Sequence, residues 1–210
     1  MSQPAPGQQE SGNLAPVMVF AELVLGLAGA IIAWARDWPL GEALRPDAST
    51  PLWVAAGLAP LIGLLQASMR LHWPPLVRLR QIVGQLVRAT LGQAAPWELA
   101  LVAGAAGLGE EILFRGALQP IAIAWWGVPA GIAVVSVVFG ALHAATKTYF
   151  FVATAVGGYL GWLAWQTGNL LIAVLIHALY DWIALRMILA WPVEPPTEDD
   201  AAPEQSRQPE

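Results

Sequence analysis

The sequence predicts an all-α fold: a polytopic integral membrane helical bundle of about six transmembrane helices plus one amphipathic surface helix. Three observations carry this. Of the 210 residues, 57% are hydrophobic and 12% charged, with a mean hydropathy of +0.56, a balance foreign to soluble domains. Apolar runs of about 20 residues, enough to cross a hydrocarbon core, recur along the chain. Most of the eleven tryptophans fall near the ends of those runs, where an aromatic belt belongs.

Residues 1–13 are polar, with Pro, Gln and Gly, and are expected to be a disordered tail. Residues 14–35 form the first span, apolar apart from Glu22. The "AWA" of Ala33–Ala35 resembles a signal-peptidase site. No Lys or Arg precedes the run, however, and the run is too long for an h-region, so a retained anchor is expected. Pro51 leads into a second span over residues 52–69. Residues 70–95 then set Arg70, Arg78, Arg80 and Arg88 among Leu, Ile and Val, the pattern of a basic amphipathic helix on the membrane surface, centred on 75–91. Pro96 opens the third span, and residues 129–145, 149–165 and 170–190 supply three more. The acidic, Pro-rich residues 192–210 are expected to be disordered. The organisation expected is N-terminal spans and surface helix over 14–95 and a membrane core over 96–191.

The absence of cysteine excludes disulfides, thiolate metal sites and a cysteine nucleophile. The net charge of −5 comes largely from the C-terminal tail, and no basic patch suggests nucleic acid. The arginines between spans two and three share a face with Lys147, while Arg36 and Arg45 fall on the other. The positive-inside rule then places both termini in the cytoplasm, in a cell (inner or plasma) membrane. Small residues at helix-contact spacing recur at Ala103 and Gly107, Gly140 and Ala144, and Gly157 and Gly161.

An ionised side chain at the bilayer centre costs at least about 2.5–3.5 kcal/mol on insertion scales, so the polar residues after Pro96 require a reason. They are Glu110, Glu111, Arg115, His143, His177 and Asp181. Glu111 and Arg115 stand four apart on one helix face, an ion-pair spacing. Glu110 points about 100° away and is left free. His143 shares a face with Phe139, and His177 with Asp181. Convergence of Glu110, His143 and the His177/Asp181 pair into one polar, water-accessible pocket is expected.

"EEILFR" from Glu110, "FGALH" from Phe139 and "HALYD" from His177 occur in that order. Together they resemble EExxxR, FxxxH and HxxxN, the three motifs of the CAAX-protease and bacteriocin-processing family of intramembrane glutamic endopeptidases. The resemblance runs from about Trp97 to Ile188. It implies an intramembrane peptidase acting on a membrane-associated, possibly lipidated peptide or protein. Glu110 would be the general base, activating a water held jointly with His143. Glu111, Arg115 and Phe139 would support it, and His177 with Asp181 would stabilise the oxyanion. The family commonly has Asn where this chain has Asp181. An amide donates a hydrogen bond, whereas an ionised carboxylate only accepts. Asp181 is therefore either protonated or holds His177 as the cationic donor.

The resemblance implies no cofactor. Two histidines with two carboxylates also make a plausible zinc set, so a metalloprotease is the alternative, although no HExxH is present. A non-catalytic immunity or scaffold protein is the third reading, and it would tolerate loss of Glu110. Taken singly, each histidine is better explained as a hydrogen-bonded helix contact, and Glu110, Glu111 and Arg115 alone are as well explained as a structural ion-pair cluster. Arg186 is expected to snorkel near its helix end. Glu22 has no role in this scheme.

Overall fold

The computed structural model describes residues 12–191. Among these the chain is helical: α1 (Ala15–Ala35), α2 (Leu40–Ala43), α3 (Thr50–Arg70), α4 (Pro74–Leu91), α5 (Pro96–Glu111), a π-helical segment (Ile112–Leu118), α6 (Gln119–Leu142), α7 (Lys147–Thr167) and α8 (Leu170–Ala190). The tails expected to be disordered lie outside the described residues, except for Gly12 and Asn13. These two are tied down: the Gly12 N–H donates to Ala89 O, and the Asn13 amide donates to Glu98 Oε1 at 3.0 Å.

Among the described residues, four stretches are long and apolar enough to cross a membrane: Ala15–Ala35, Thr50–Arg70, Pro96–Leu142 and Leu170–Ala190. The third and fourth expected spans are thus one 47-residue stretch. Gly127 divides it with φ 76° and ψ 169°, which interrupts the helix. The chain doubles back there, since a Cβ on Gly131 would lie 2.6 Å from the Ile123 nitrogen. The fifth expected span, α7, is not among the four. Lys147, Gln166 and its tyrosines and glycines dilute its apolar content, and it packs along α6 and α8.

Close helix approach organises the bundle. A Cβ on Gly107 of α5 would meet Ala178 N and Val174 O of α8 at 2.8 and 2.9 Å. Gly109 lies against the Glu22 carbonyl oxygen of α1, and Gly26 approaches Gly109 Cα in the same crossing. Gly140 joins α6 to α7, with Phe150 O at 2.8 Å from a built Cβ. Small residues buy these contacts where apolar side chains gain nothing over lipid. Ala144, the expected partner of Gly140, is instead exposed beyond the helix end.

The surface helix forms as α4, and two of its arginines do more than face the interface. Arg80 Nη1 donates to Ser68 O and to Leu71 O, the latter at 2.9 Å. Arg88 Nη1 donates to Ile188 O at 2.8 Å and Trp191 O at 3.2 Å. Carbonyls at the ends of α3 and α8 lack intrahelical donors, and these guanidinium groups supply them.

At the other end of the bundle, Asn169 caps α8 by accepting from Leu171 N–H and donates to Arg45 O at 3.0 Å. The neighbouring Asp47 carboxylate accepts from the Ser49 hydroxyl and N–H, both at 2.7 Å. These bonds, the Ser49 hydroxyl foremost, hold its pKa down to about 2. The α1–α3 connection and the α7–α8 turn therefore share one end, opposite α4. Cysteines introduced at Gln85 and Gly168 should accordingly label from opposite sides of sealed vesicles, and labelling of both from one side would refute the arrangement.

Candidate active site

The six polar residues of the C-terminal half meet at one place, where α5 and the π segment face α6, α7 and α8. Depth is the first thing to explain, because Glu110 starts near the end of α5 whereas His143 caps the end of α6. Gly127 lies 17 residues after Glu110 and 16 before His143. The reversal there brings both to the same level, and His143 Nε2 stands 3.8 Å from Glu110 Oε1.

Glu111 is fully buried and is the hub of the cluster. Its Oε1 accepts from Arg115 Nη1 at 2.9 Å and from His177 Nδ1 at 2.8 Å. Arg115 in turn donates through Nη2 to Gly157 O at 2.9 Å, and its guanidinium lies 4.5 Å from the centre of the Phe139 ring. Gly157 admits this arrangement: a Cβ there would lie 3.2 Å from Arg115 Nη2. The expected pairing of Glu111 with Arg115 is therefore present, although it enters a π-helical segment instead of a regular α-helix. Such i→i+5 turns recur at functional sites.

Glu110 is expected off the Glu111–Arg115 face and free of that pair, and it stays out of the pair. What the spacing does not give is that the two carboxylates face opposite nitrogens of one imidazole. Glu111 accepts from His177 Nδ1, while His177 Nε2 stands 3.9 Å from Glu110 Oε2 and 3.5 Å from Asp181 Oδ2. Gly107 is the cause, since it brings α5 close enough to α8 for the His177 ring to sit between the two glutamates. Glu110 Oε2 is buried and has no hydrogen-bond partner among the described residues.

His143 Nδ1 lies 2.9 Å from Phe139 O, and a carbonyl can only accept, so Nδ1 carries hydrogen. In the neutral ring Nε2 is then an acceptor facing Glu110. Phe139 stacks on His143 with centroids 4.4 Å apart and presents an edge to His177 at 6.2 Å, which fixes both rings. The side chains of His143 and Asp181 remain 26% and 34% exposed, whereas that of Glu110 is 11% exposed. The cluster is therefore open on the His143–Asp181 side.

Sequence reasoning missed three contributors. Tyr149, at the start of α7, sets its ring edge against His143 at 5.8 Å. Gly127 carries no motif, yet its reversal sets the depth of His143. Glu22 reaches the site from α1 and interacts electrostatically with His177 and Asp181. A cavity of about 450 Å³ lies behind Arg115, bounded by Trp38, Leu40, Gly116, Gln119 and Trp165, and does not include Glu110 or the histidines. No group of three or more His, Cys, Asp or Glu among the described residues is spaced to hold a metal ion.

Residues 92–183 match the family described as Rce1-like, type II CAAX prenyl endopeptidase Rce1-like. The match begins just after α4, ends within α8 and contains all three motifs; it covers a little under half of the chain, and it agrees with the apolar helices of an integral membrane protein. No curated protein and no solved structure matches the chain.

The buried ion pair gives a stability test. Arg115→Ala strands Glu111 beside His177 and removes the tie to Gly157, a loss of about 3–5 kcal/mol for a buried pair of this kind. Thermal denaturation in detergent should fall steeply, and an unchanged midpoint would show that the pair contributes little.

Proposed function

We propose that the chain, through its Rce1-like core, hydrolyses a peptide bond of a membrane-associated substrate, with Glu110 as general base. The substrate class favoured is a prenylated C-terminal peptide, as the family's description names it. One observation carries the assignment: Glu110 Oε1 and His143 Nε2 are two acceptors 3.8 Å apart in a site open on one side. A single water can donate to both, leaving its lone pair directed outward.

The steps follow from the contacts. Water's oxygen forms a bond to the scissile carbonyl carbon as its proton passes to Glu110. Negative charge develops on the carbonyl oxygen, and His177 Nε2–H donates to it. His177 Nδ1 is engaged by Glu111, and Glu110 and Asp181 flank Nε2, so three carboxylates favour the imidazolium with hydrogen on both nitrogens. Collapse of the tetrahedral species breaks the C–N bond, and the proton on Glu110 goes to the departing amine. Asp181 serves as the acceptor that keeps His177 cationic, which accounts for a carboxylate where the family motif commonly has an amide. No step requires a metal. The arginine-rich α4 side is assigned to the cytoplasm, with both termini there.

With a fluorogenic peptide ending in a farnesylated CAAX sequence, Glu110→Gln should lower kcat/KM by about 10²-fold or more while the protein keeps its thermal midpoint. Normal cleavage by that variant would remove Glu110 from the mechanism. Asp181→Asn should retain cleavage within about tenfold, because its amide oxygen still accepts from His177 and its NH₂ can donate to the oxyanion. Cleavage should also resist a chelator. Activity abolished by chelation, restored by zinc and missing from Asp181→Asn would replace this mechanism with metal catalysis.

A further inference from the structure

Glu22 lies outside residues 92–183 and is the lone charged residue of α1. Its spacing from Gly26 and Gly29 places all three on one face of the helix, and that face crosses α5 and the π segment. Gly109 lies against the Glu22 carbonyl, Gly26 against Gly109, and Gly29 against Leu113. The crossing is centred one residue from Glu110. Glu22 Oε2 is buried and, like Glu110 Oε2, has no hydrogen-bond partner among the described residues.

The charged surroundings are specific. Glu110 interacts electrostatically with Glu22, Glu111, His177 and Asp181, and Glu22 with His177 and Asp181. From α7, Tyr149 interacts electrostatically with Asp181, Tyr180 and Glu110. The fixed cations near α1 are otherwise committed, Arg115 to Glu111 and Arg88 to the carbonyls ending α8. A buried carboxylate oxygen with no hydrogen-bond partner among the described residues is costly, so the carboxylate itself requires an explanation.

We infer that Glu22 is a positioning residue for the general base, placed by α1 so that it and Glu110 share one proton. Two neighbouring carboxylates in a water-poor site do not both ionise readily and titrate as a pair. With the shared proton on Glu22, Glu110 is the carboxylate that accepts water's proton. On collapse the proton returns to the leaving amine, so the pair ends each turnover as it began. The inference rests on the endopeptidase reading for its place in catalysis. Its physical content, a coupled carboxyl pair, does not.

Two measurements test it. With the farnesylated peptide probe, Glu22→Gln keeps the shape but cannot exchange a proton. Its kcat should fall about tenfold with KM unchanged, and the alkaline limb of its kcat profile, which reports loss of the shared proton, should disappear while a one-proton acidic limb remains. Glu22→Asp should restore the alkaline limb. A Glu22→Gln profile of wild-type shape would overturn the inference. The second measurement needs no substrate: an infrared titration of the carboxyl band in wild type, Glu22→Gln, Glu110→Gln and the double variant. Coupling makes the double variant's change differ from the sum of the single changes; additive changes overturn the pair. Where Glu22→Gln does not fold, Glu22→Ala replaces it in the same double cycle, and additive changes count against the pair. If wild-type protein cleaves no probe while the titrations are coupled, the endopeptidase reading fails and the assignment of Glu22 stands. If it cleaves while the titrations are additive, the assignment alone fails.

Discussion

Glu111 is the contact on which the rest of the site depends. A fully buried carboxylate is tolerated only when its charge is compensated. Here Oε1 takes a guanidinium from its own chain segment and an imidazole from α8, while Oε2 is buried with no hydrogen-bond partner among the described residues. Oε1 joins two of the three motifs, and Arg115 reaches the third through the Phe139 ring and α7 through Gly157. Glu110, by contrast, makes no short contact, which leaves it free for the general-base role proposed for it.

Such a hub needs backbones closer than ordinary side chains permit. Glycine supplies the approach where α5 meets α8, where α5 meets α1 and where α6 meets α7. In a bilayer there is little hydrophobic gain from pairing helices, so dispersion contacts and buried polar bonds must hold them. The two devices reinforce each other: close approach lets short side chains such as Glu111 and His177 touch, and their bond then fixes the crossing.

Much of this was legible in the sequence. The order and spacing of Glu110, Glu111, Arg115, His143, His177 and Asp181 identified the cluster, because charge inside apolar spans is a strong signal against a quiet background. The Glu111–Arg115 pair followed from local periodicity, and α4 from its arginines. Three things were not legible, each because it depends on the path of the chain through space. The reversal at Gly127 was hidden because a glycine among apolar residues marks a bend only when its φ is known. The two glutamates meet one imidazole because Gly107 brings α8 close against α5, which the spacing on α5 cannot reveal. Arg80 and Arg88 found carbonyls on α3 and α8, partners remote in sequence or beyond a turn.

Glu22 belongs with these, and its case shows how far a motif match reaches. Residues 92–183 hold the three motifs, but the surroundings of a buried base are set by everything packed against it. The cluster holds four carboxylates, those of Glu22, Glu110, Glu111 and Asp181, against one fixed cation, Arg115, and two titratable imidazoles. Arg115 and Glu111 cancel. Three carboxylates then face His143 and His177, and His143 already donates through Nδ1 to Phe139 O. If both rings were cationic, one negative charge would remain; if His143 were neutral and accepting, two would. In a setting of low dielectric that excess is relieved most readily by protons held between carboxylates. The neutral, accepting His143 is the state that can hold a water beside Glu110, so the state suited to the proposed hydrolysis is also the one in which the proton sharing inferred for Glu22 and Glu110 would relieve the most charge.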